Sequence, residues 1–278
     1  VATDPAAAVA EIERRAELRR TPCGAGSMVW RVWGRGAPLV LLHGGYGSWT
    51  HWIRNIEFLA GRYRVLAPDL PGLGDSDMPP EPDRPEAIAG IVASGLISLL
   101  SAVEMADIVG FSFGGLIGGL AAEQLASRAR SLVLVGSGGL GVRRGAPIDL
   151  VTWRDLSDEA ARRAAHAENL AILMFADRAQ IDDLAVHLQV NNATRARLRS
   201  RVLSRIPALP TALPRMSARL RGLWGERDIT AQGVLDQIRT LLQSLQPGAN
   251  LNVIPRAGHW VQYEAADAFN AALVKLLA

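Results

Sequence analysis

The 278-residue sequence has a single cysteine, Cys23, and a single lysine, Lys275. One thiol excludes an internal disulfide framework and a cysteine-built metal cluster. Cys23 stands between Pro22 and Gly24 and reads as a structural thiol near a turn. The cytoplasm is the expected compartment for such a chain. Aromatic residues are scarce at 5%, and no long uncharged apolar run is present, so no membrane-spanning helix is expected. The run 1–20 carries Glu11, Glu13, Arg14, Arg15, Glu17, Arg19 and Arg20, lacks the apolar centre of a secretory signal, and reads as a surface helix.

Aliphatic material is plentiful. Hydrophobic residues make up 49% against 21% charged, enough for a sizeable core and too much for a disordered chain. At this length one core domain with an inserted lid is expected. The basic charge sits almost wholly on arginine. Arg195, Arg197, Arg199, Arg201, Arg205, Arg215, Arg219 and Arg221 follow one another with no acidic residue between them. Such a field reads first as a solvated face, and the alternative is that it attracts a carboxylate substrate. No nucleic-acid motif or aromatic-interleaved stripe accompanies it, so nucleic acid is not an expected partner.

Strand-like runs fall at 28–33, 38–42, 64–67, 106–109, 131–135, 220–224 and 251–254, several of them apolar throughout, as strands buried on both faces should be. Helical patterns at 88–103, 115–127, 233–245 and 265–277 alternate with them, which predicts a mainly parallel sheet between helical layers. Active sites of such sheets lie at the carboxyl ends of the strands. The stretch 138–214 breaks the alternation. It has helical patterns at 160–176, 181–191 and 194–205 and no strand signal, so it reads as an inserted helical cap on a core of 1–137 and 215–278. Pro207, Pro210 and Pro214 mark the return.

Gly110-Phe111-Ser112-Phe113-Gly114 lies between an apolar run and a helix. Glycine at both ends lets the chain turn sharply and lift the Ser112 hydroxyl above the sheet. A serine hydroxyl needs a base to take its proton as it attacks. Of the five histidines, His259 follows run 251–254 on a loop at a strand's end and is the candidate. His43 and His51 belong to an early loop, His166 and His187 to the cap. A carboxylate must then orient the imidazole, and Asp228, in the loop after run 220–224, is preferred over Glu226. After run 38–42 comes His43-Gly44-Gly45, where the Gly45 N–H together with that of Phe113 can bind an oxyanion. Dehalogenation and epoxide opening would need a carboxylate where Ser112 stands. No metal or organic cofactor is required.

These residues, with Pro68-Asp69-Leu70-Pro71-Gly72-Leu73-Gly74-Asp75-Ser76, resemble the α/β-hydrolase superfamily over essentially the whole chain. The resemblance implies an eight-stranded, mostly parallel sheet flanked by helices. Within that superfamily the segments Arg54-Asn55, Gly138-Gly139-Leu140-Gly141 and Gly258-His259-Trp260 are most similar to the carbon–carbon bond hydrolases that cleave meta-ring-fission products. Gly44, Asn55, Phe111 and Trp260 are thereby expected to contact substrate; Trp49, Trp52, Trp153 and Phe175 read first as core packing, with an aromatic wall of the pocket as the alternative. Those enzymes carry asparagine where this sequence has Phe111. Their substrate-gripping cap arginine falls near Gln189, and Arg195 is the candidate replacement. The implied activity is hydrolysis of an ester or of the C–C bond of a vinylogous diketone, on a small, partly apolar, carboxylated substrate. A lactonase or general carboxylesterase is the alternative, and a non-catalytic ligand-binding protein on the same scaffold a third reading. By analogy the chain is also a candidate homodimer.

Overall fold

The computed structural model describes residues 4–142 and 148–278. Residues 1–3 of the N-terminal run and 143–147 of the expected cap lie outside the described residues. Strands β1 (Glu17–Cys23), β2 (Gly26–Trp33), β3 (Pro38–Leu42), β4 (Arg64–Pro68), β5 (Ala106–Phe111), β6 (Ala129–Val135), β7 (Arg219–Gly225) and β8 (Asn250–Ile254) form one sheet. Their order is β1-β2-β4-β3-β5-β6-β7-β8. Only the β1–β2 and β2–β4 pairings are antiparallel, and every other pairing is parallel.

The sequence of β3 explains why helices cover both faces. All five residues, Pro-Leu-Val-Leu-Leu, are apolar and buried. Because side chains alternate along a strand, Val40 and Leu42 enter one core and Leu39 and Leu41 the other. Outside the β6–β7 connection the helices are α1 (Pro5–Arg14), α2 (Ile56–Ala60), α3 (Pro85–Leu99), α4 (Phe113–Leu125), α9 (Leu235–Leu245), α10 (Val261–Glu264) and α11 (Ala266–Leu277). Ile88, Val92, Leu116, Leu120, Ile238 and Leu242 of α3, α4 and α9 close the first core. Ile56, Leu59, Phe269 and Leu273 of α2 and α11 close the second. Each such aliphatic side chain contributes about 1.5–3 kcal/mol by leaving water.

The N-terminus differs from its sequence reading. The helix, capped by Asp4, stops at Arg14, and Glu17–Arg20 begin β1. Of the charges that suggested a helix surface, Glu11, Glu13 and Arg14 lie in α1, while Glu17, Arg19 and Arg20 are exposed on an edge strand, where charge discourages pairing with another chain.

Between β6 and β7 lie α5 (Glu159–Leu173), α6 (Asp183–Arg195), α7 (Ser200–Leu203) and α8 (Leu209–Ala212), with no strand among the described residues. Asp158 and Asp182 start α5 and α6 by accepting the N–H groups of Ala161 and Ala185 at 2.7 and 2.8 Å. The helix expected at 194–205 is reduced to the single turn of α7. The chain straightens at Ala196 because the Arg197 and Leu198 N–H groups both bond to Gly72 O at 3.1 Å. Leu198, Leu203, Leu209 and Leu213 then pack into the first core, and α8 lies on α4.

Candidate active site

Ser112 occupies the turn between β5 and α4 with φ 53° and ψ −111°. Side chains other than glycine resist this conformation, and it persists only where the surroundings impose it. Ser112 N–H donates to Val135 O at 2.8 Å, and Ser112 O accepts from Gly115 and Gly138 at 3.0 Å. The flanking glycines are steric requirements. A Cβ on Gly110 would stand 2.3 Å from Gly114 O, and one on Gly114 would stand 2.3 Å from Leu42 O.

Three strand ends converge here. His259 Nε2 lies 3.1 Å from Ser112 Oγ, and His259 Nδ1 lies 2.9 Å from Asp228 Oδ2. The other Asp228 oxygen accepts Thr230 N–H at 2.8 Å. Burial alone would raise the Asp228 pKa, but His259 and Thr230 outweigh it and hold the carboxyl below its ordinary value. An ionised Asp228 places the imidazole proton on Nδ1 and leaves Nε2 as the acceptor facing the serine. The His259 loop is braced from below by the largely buried Glu264 carboxylate, which accepts from Gly258 N at 2.6 Å and from Ala176 and Asp177 N at 2.9 Å.

The loop after β3 lies beside the serine. Gly44 N–H donates to His51 Nδ1 and Tyr46 N–H to Ser200 Oγ, each at 3.1 Å. Both neighbours of the Gly45 N–H are thus engaged. Phe113 is the first residue of α4, so its N–H belongs to the helix's initial turn, where no intrahelical acceptor is available. Burial keeps His51 well below its ordinary pKa, helped by His43 and His259 nearby, and it is neutral at pH 7.

These groups open onto a cavity of about 940 Å³, with Ser112, His259, Gly44, Gly45 and Phe111 on the sheet side. Leu140, Trp153, Leu173 and Val234 give it apolar walls. Arg154, Arg201 and Arg205 line it while remaining exposed, which puts guanidinium groups at its mouth. No carboxylate among the described residues pairs with Arg201 or Arg205, whereas Arg195 and Arg215 are paired with Asp75 and Glu123.

Three residues expected in the pocket lie elsewhere. Arg195 is turned outward to Asp75. Asn55 is buried and spends its amide N–H groups on Gln262 O and Asn270 Oδ1, each at 2.9 Å. Trp260 is buried behind the site, because its ring N–H needs an acceptor and finds His51 O at 2.9 Å. Trp49, Trp52 and Phe175 belong to the second core, so of the aromatic candidates Trp153 alone reaches the cavity. Gln189 also lines it. Ser200, His51, Arg201 and Arg205 had no individual signal in the sequence. The arginine-rich stretch pointed to the right segment without saying which side chains turn inward.

The hydrogen-bonded line Ser112–His259–Asp228 thus lies at the carboxyl ends of parallel strands in this sheet order. Residues 39–272 match the alpha/beta hydrolase family, and the chain belongs to that family. It is 30% identical over 259 residues to the 2-hydroxy-6-oxo-6-phenylhexa-2,4-dienoate hydrolase of Burkholderia cepacia, covering 88% of this chain and 89% of that one. It is 32% identical over 257 residues to the 2-hydroxymuconate semialdehyde hydrolase of Pseudomonas sp. (strain CF600), covering 88% of each. Among solved structures, a meta-cleavage product hydrolase from Pseudomonas fluorescens superposes with a TM-score of 0.74 at 23% identity, over 93% of this chain and 97% of that one, a likeness of fold. The relatives are hydrolases, and hydrolysis is the class of reaction of this enzyme.

Proposed function

We propose that the enzyme is a serine hydrolase that cleaves a carbonyl compound carrying a carboxylate at its far end, with Ser112 as nucleophile, His259 as general base and Asp228 as the residue that orients the imidazole. The single observation behind this reading is the unbroken line of hydrogen bonds from Ser112 Oγ through His259 to Asp228 at the base of the cavity.

Ser112 Oγ attacks the carbonyl carbon and gives its proton to His259 Nε2. The N–H groups of Gly45 and Phe113 receive the resulting oxyanion, and removing one such donor from comparable enzymes costs about 10²–10³ in kcat. Collapse of the tetrahedral intermediate breaks the bond to the leaving group, which takes the proton from His259; a dienoate is ketonised first, so that the electron pair of its broken C–C bond passes into the conjugated 2-oxo group. Water, deprotonated by the same imidazole, then releases the acyl group from Ser112. Helices α5 and α6 serve as the cap that shields these steps from bulk water.

The preferred substrate class is a 2-hydroxy-6-oxo-dienoate. Its support is the similarity to hydrolases named for such compounds, together with a cavity of apolar walls and arginines at the mouth that no carboxylate among the described residues pairs. Arg201 and Arg205 take the carboxylate-binding part that Arg195 is too far outward to play. An ester is the second reading, favoured by Phe111. Its ring lies 5.0 Å from that of His259 and makes the wall beside the nucleophile apolar.

Steady-state turnover of a p-nitrophenyl ester and of a 2-hydroxy-6-oxo-dienoate by the native enzyme and by Ser112→Ala tests both. Dienoate cleavage that disappears in the variant is the expected result. Ester turnover alone would transfer the assignment to the carboxylesterase reading, and inactivity toward both would favour a ligand-binding role.

A further inference from the structure

The segment Gly44-Gly45-Tyr46 is held by a side chain at each of three successive peptide groups. His51 Nδ1 accepts the Gly44 N–H at 3.1 Å. His43 Nε2 accepts the Leu70 N–H at 2.8 Å, which leaves the imidazole proton on Nδ1, donated to Gly44 O at 2.8 Å. Ser200 Oγ accepts the Tyr46 N–H at 3.1 Å. The Gly44 carbonyl and the Gly45 N–H belong to one planar trans peptide and point in opposite directions. Gly45 therefore sits between two anchored peptide planes, and the direction of its N–H follows from both anchors.

Two of these anchors, His43 and His51, stand in the same loop. The third comes from the insertion. Ser200 opens α7 and is completely buried, and a Cβ added to Gly45 would lie 2.7 Å from its Oγ. The same short helix reaches the opposite flank of the nucleophile. Ser204 O accepts the Gly139 N–H at 3.0 Å, and the neighbouring Gly138 N–H bonds to Ser112 O at 3.0 Å. Helix α7 is thus wedged between the two loops that border Ser112. Tyr46 has φ 52°, a conformation that needs external support, and the Ser200 hydroxyl supplies a bond at that residue's own N–H.

We propose that Ser200 is a positioning residue for the oxyanion site: by holding the Tyr46 N–H it fixes the aim of the Gly45 N–H, so the site is complete only when α7 is seated. The inference rests on the reading of Gly45 as an oxyanion donor. A donor aimed at a developing oxyanion acts on the transition state more than on the ground-state carbonyl, so its misalignment lowers kcat and leaves KM in place.

The test is Ser200→Ala, which deletes one hydroxyl and leaves the backbone of α7 intact, beside native enzyme and Ser112→Ala. Steady-state kinetics use p-nitrophenyl acetate. Inhibition constants are measured for a trifluoromethyl ketone, which forms an oxyanion on serine, and for the matching methyl ketone, which binds as a neutral carbonyl. The expected result is a fall in kcat of about tenfold, below the loss for deleting a donor outright, with a parallel weakening of the trifluoromethyl ketone. KM and methyl ketone binding stay within about twofold, since both report ground-state binding. If kcat and the trifluoromethyl ketone constant match the native values while Ser112→Ala is inactive, the positioning role is overturned and the hydrolase reading stands. Equal weakening of both ketones overturns it too, because that is the signature of a generally loosened pocket. Native-level turnover by Ser112→Ala overturns the underlying reading and this inference with it.

Discussion

On the sheet side of the cavity Ser112, Asp228 and His259 follow the carboxyl ends of β5, β7 and β8, and neighbouring backbone holds the first two in place. Ser112 is tied to Val135, Gly115 and Gly138, and Asp228 to Thr230. On the insertion side the lining groups come from α5, α6, α7 and the loops that join them, and the arginines at the mouth are exposed and unpaired by carboxylates among the described residues. The first kind of wall suits chemistry, which tolerates little displacement, and the second suits recognition, which can be retuned by changing a side chain. Substitutions on the sheet side should therefore alter kcat, and substitutions at the mouth should alter KM.

The largest effect expected is that of Asp228→Asn. The amide would keep the volume but favour the wrong imidazole tautomer, and on the proposed mechanism kcat should fall by about 10⁴ with KM little changed. Stopped-flow turnover of the ester is sensitive enough to see it. A loss below about tenfold would mean that the carboxylate does not govern His259 and would remove the contrast between the walls.

The mouth is tested by Arg201→Gln and Arg205→Gln in combination. Hydrogen bonds to a charged group contribute about 1.5–3 kcal/mol, so KM for a carboxylated dienoate should rise about 10- to 100-fold. KM for uncharged p-nitrophenyl acetate should not move. Equal changes for both substrates would show that the arginines shape the opening without reading charge.

A pH series on stability sharpens the same comparison, because the buried imidazoles of His43 and His51 lie on the sheet side. Burial lowers the pKa of His43 and His51. Imidazoles of the unfolded chain titrate near 6.5, so below that pH the unfolded state binds protons that the folded state refuses. Stability should be full above about pH 7 and fall on acidification, by up to about 1.4 kcal/mol per pH unit for each imidazole. The Asp228 carboxyl, lowered on folding, adds a second loss of the same sign in a separate window below about pH 4. Thermal melts between pH 7 and 5 should show a shallower slope for His51→Asn than for native protein. An unchanged slope would mean that His51 does not resist protonation.

The sequence was most readable where local pattern and local structure coincide. The five apolar residues of β3 and the glycines around Ser112 need no knowledge of partners, because apolar runs of that length and a glycine-flanked turn have few other uses. Strand β1 was hidden because an edge strand exposes charge on both faces, and its pattern matches a solvated helix. The contacts of Trp260 and Asn55 were illegible for a different reason. Both residues are polar at one end and buried, and which acceptor satisfies each is decided by segments about two hundred residues away in the chain. Ser200 presents the same difficulty, joined to Tyr46 across 154 positions.

Arg195 shows how closely recognition and surface charge can neighbour each other in one segment. It is six residues from Arg201 and was the sequence's candidate for the carboxylate, yet it pairs with Asp75 and stands about half exposed. Asp75 also serves the buried Arg31, which is bonded to Asp69 at 2.9 Å and salt-bridged to Glu13, so the carboxylate keeps a partner when Arg195 is removed. An exposed ion pair contributes about 0–1 kcal/mol. Arg195→Ala should therefore leave kcat and KM for the dienoate within twofold and shift the melting temperature by at most a few degrees. If it instead raised KM as much as Arg201→Gln and Arg205→Gln together, the carboxylate would be read at α6 and the division between an inward and an outward arginine would fail.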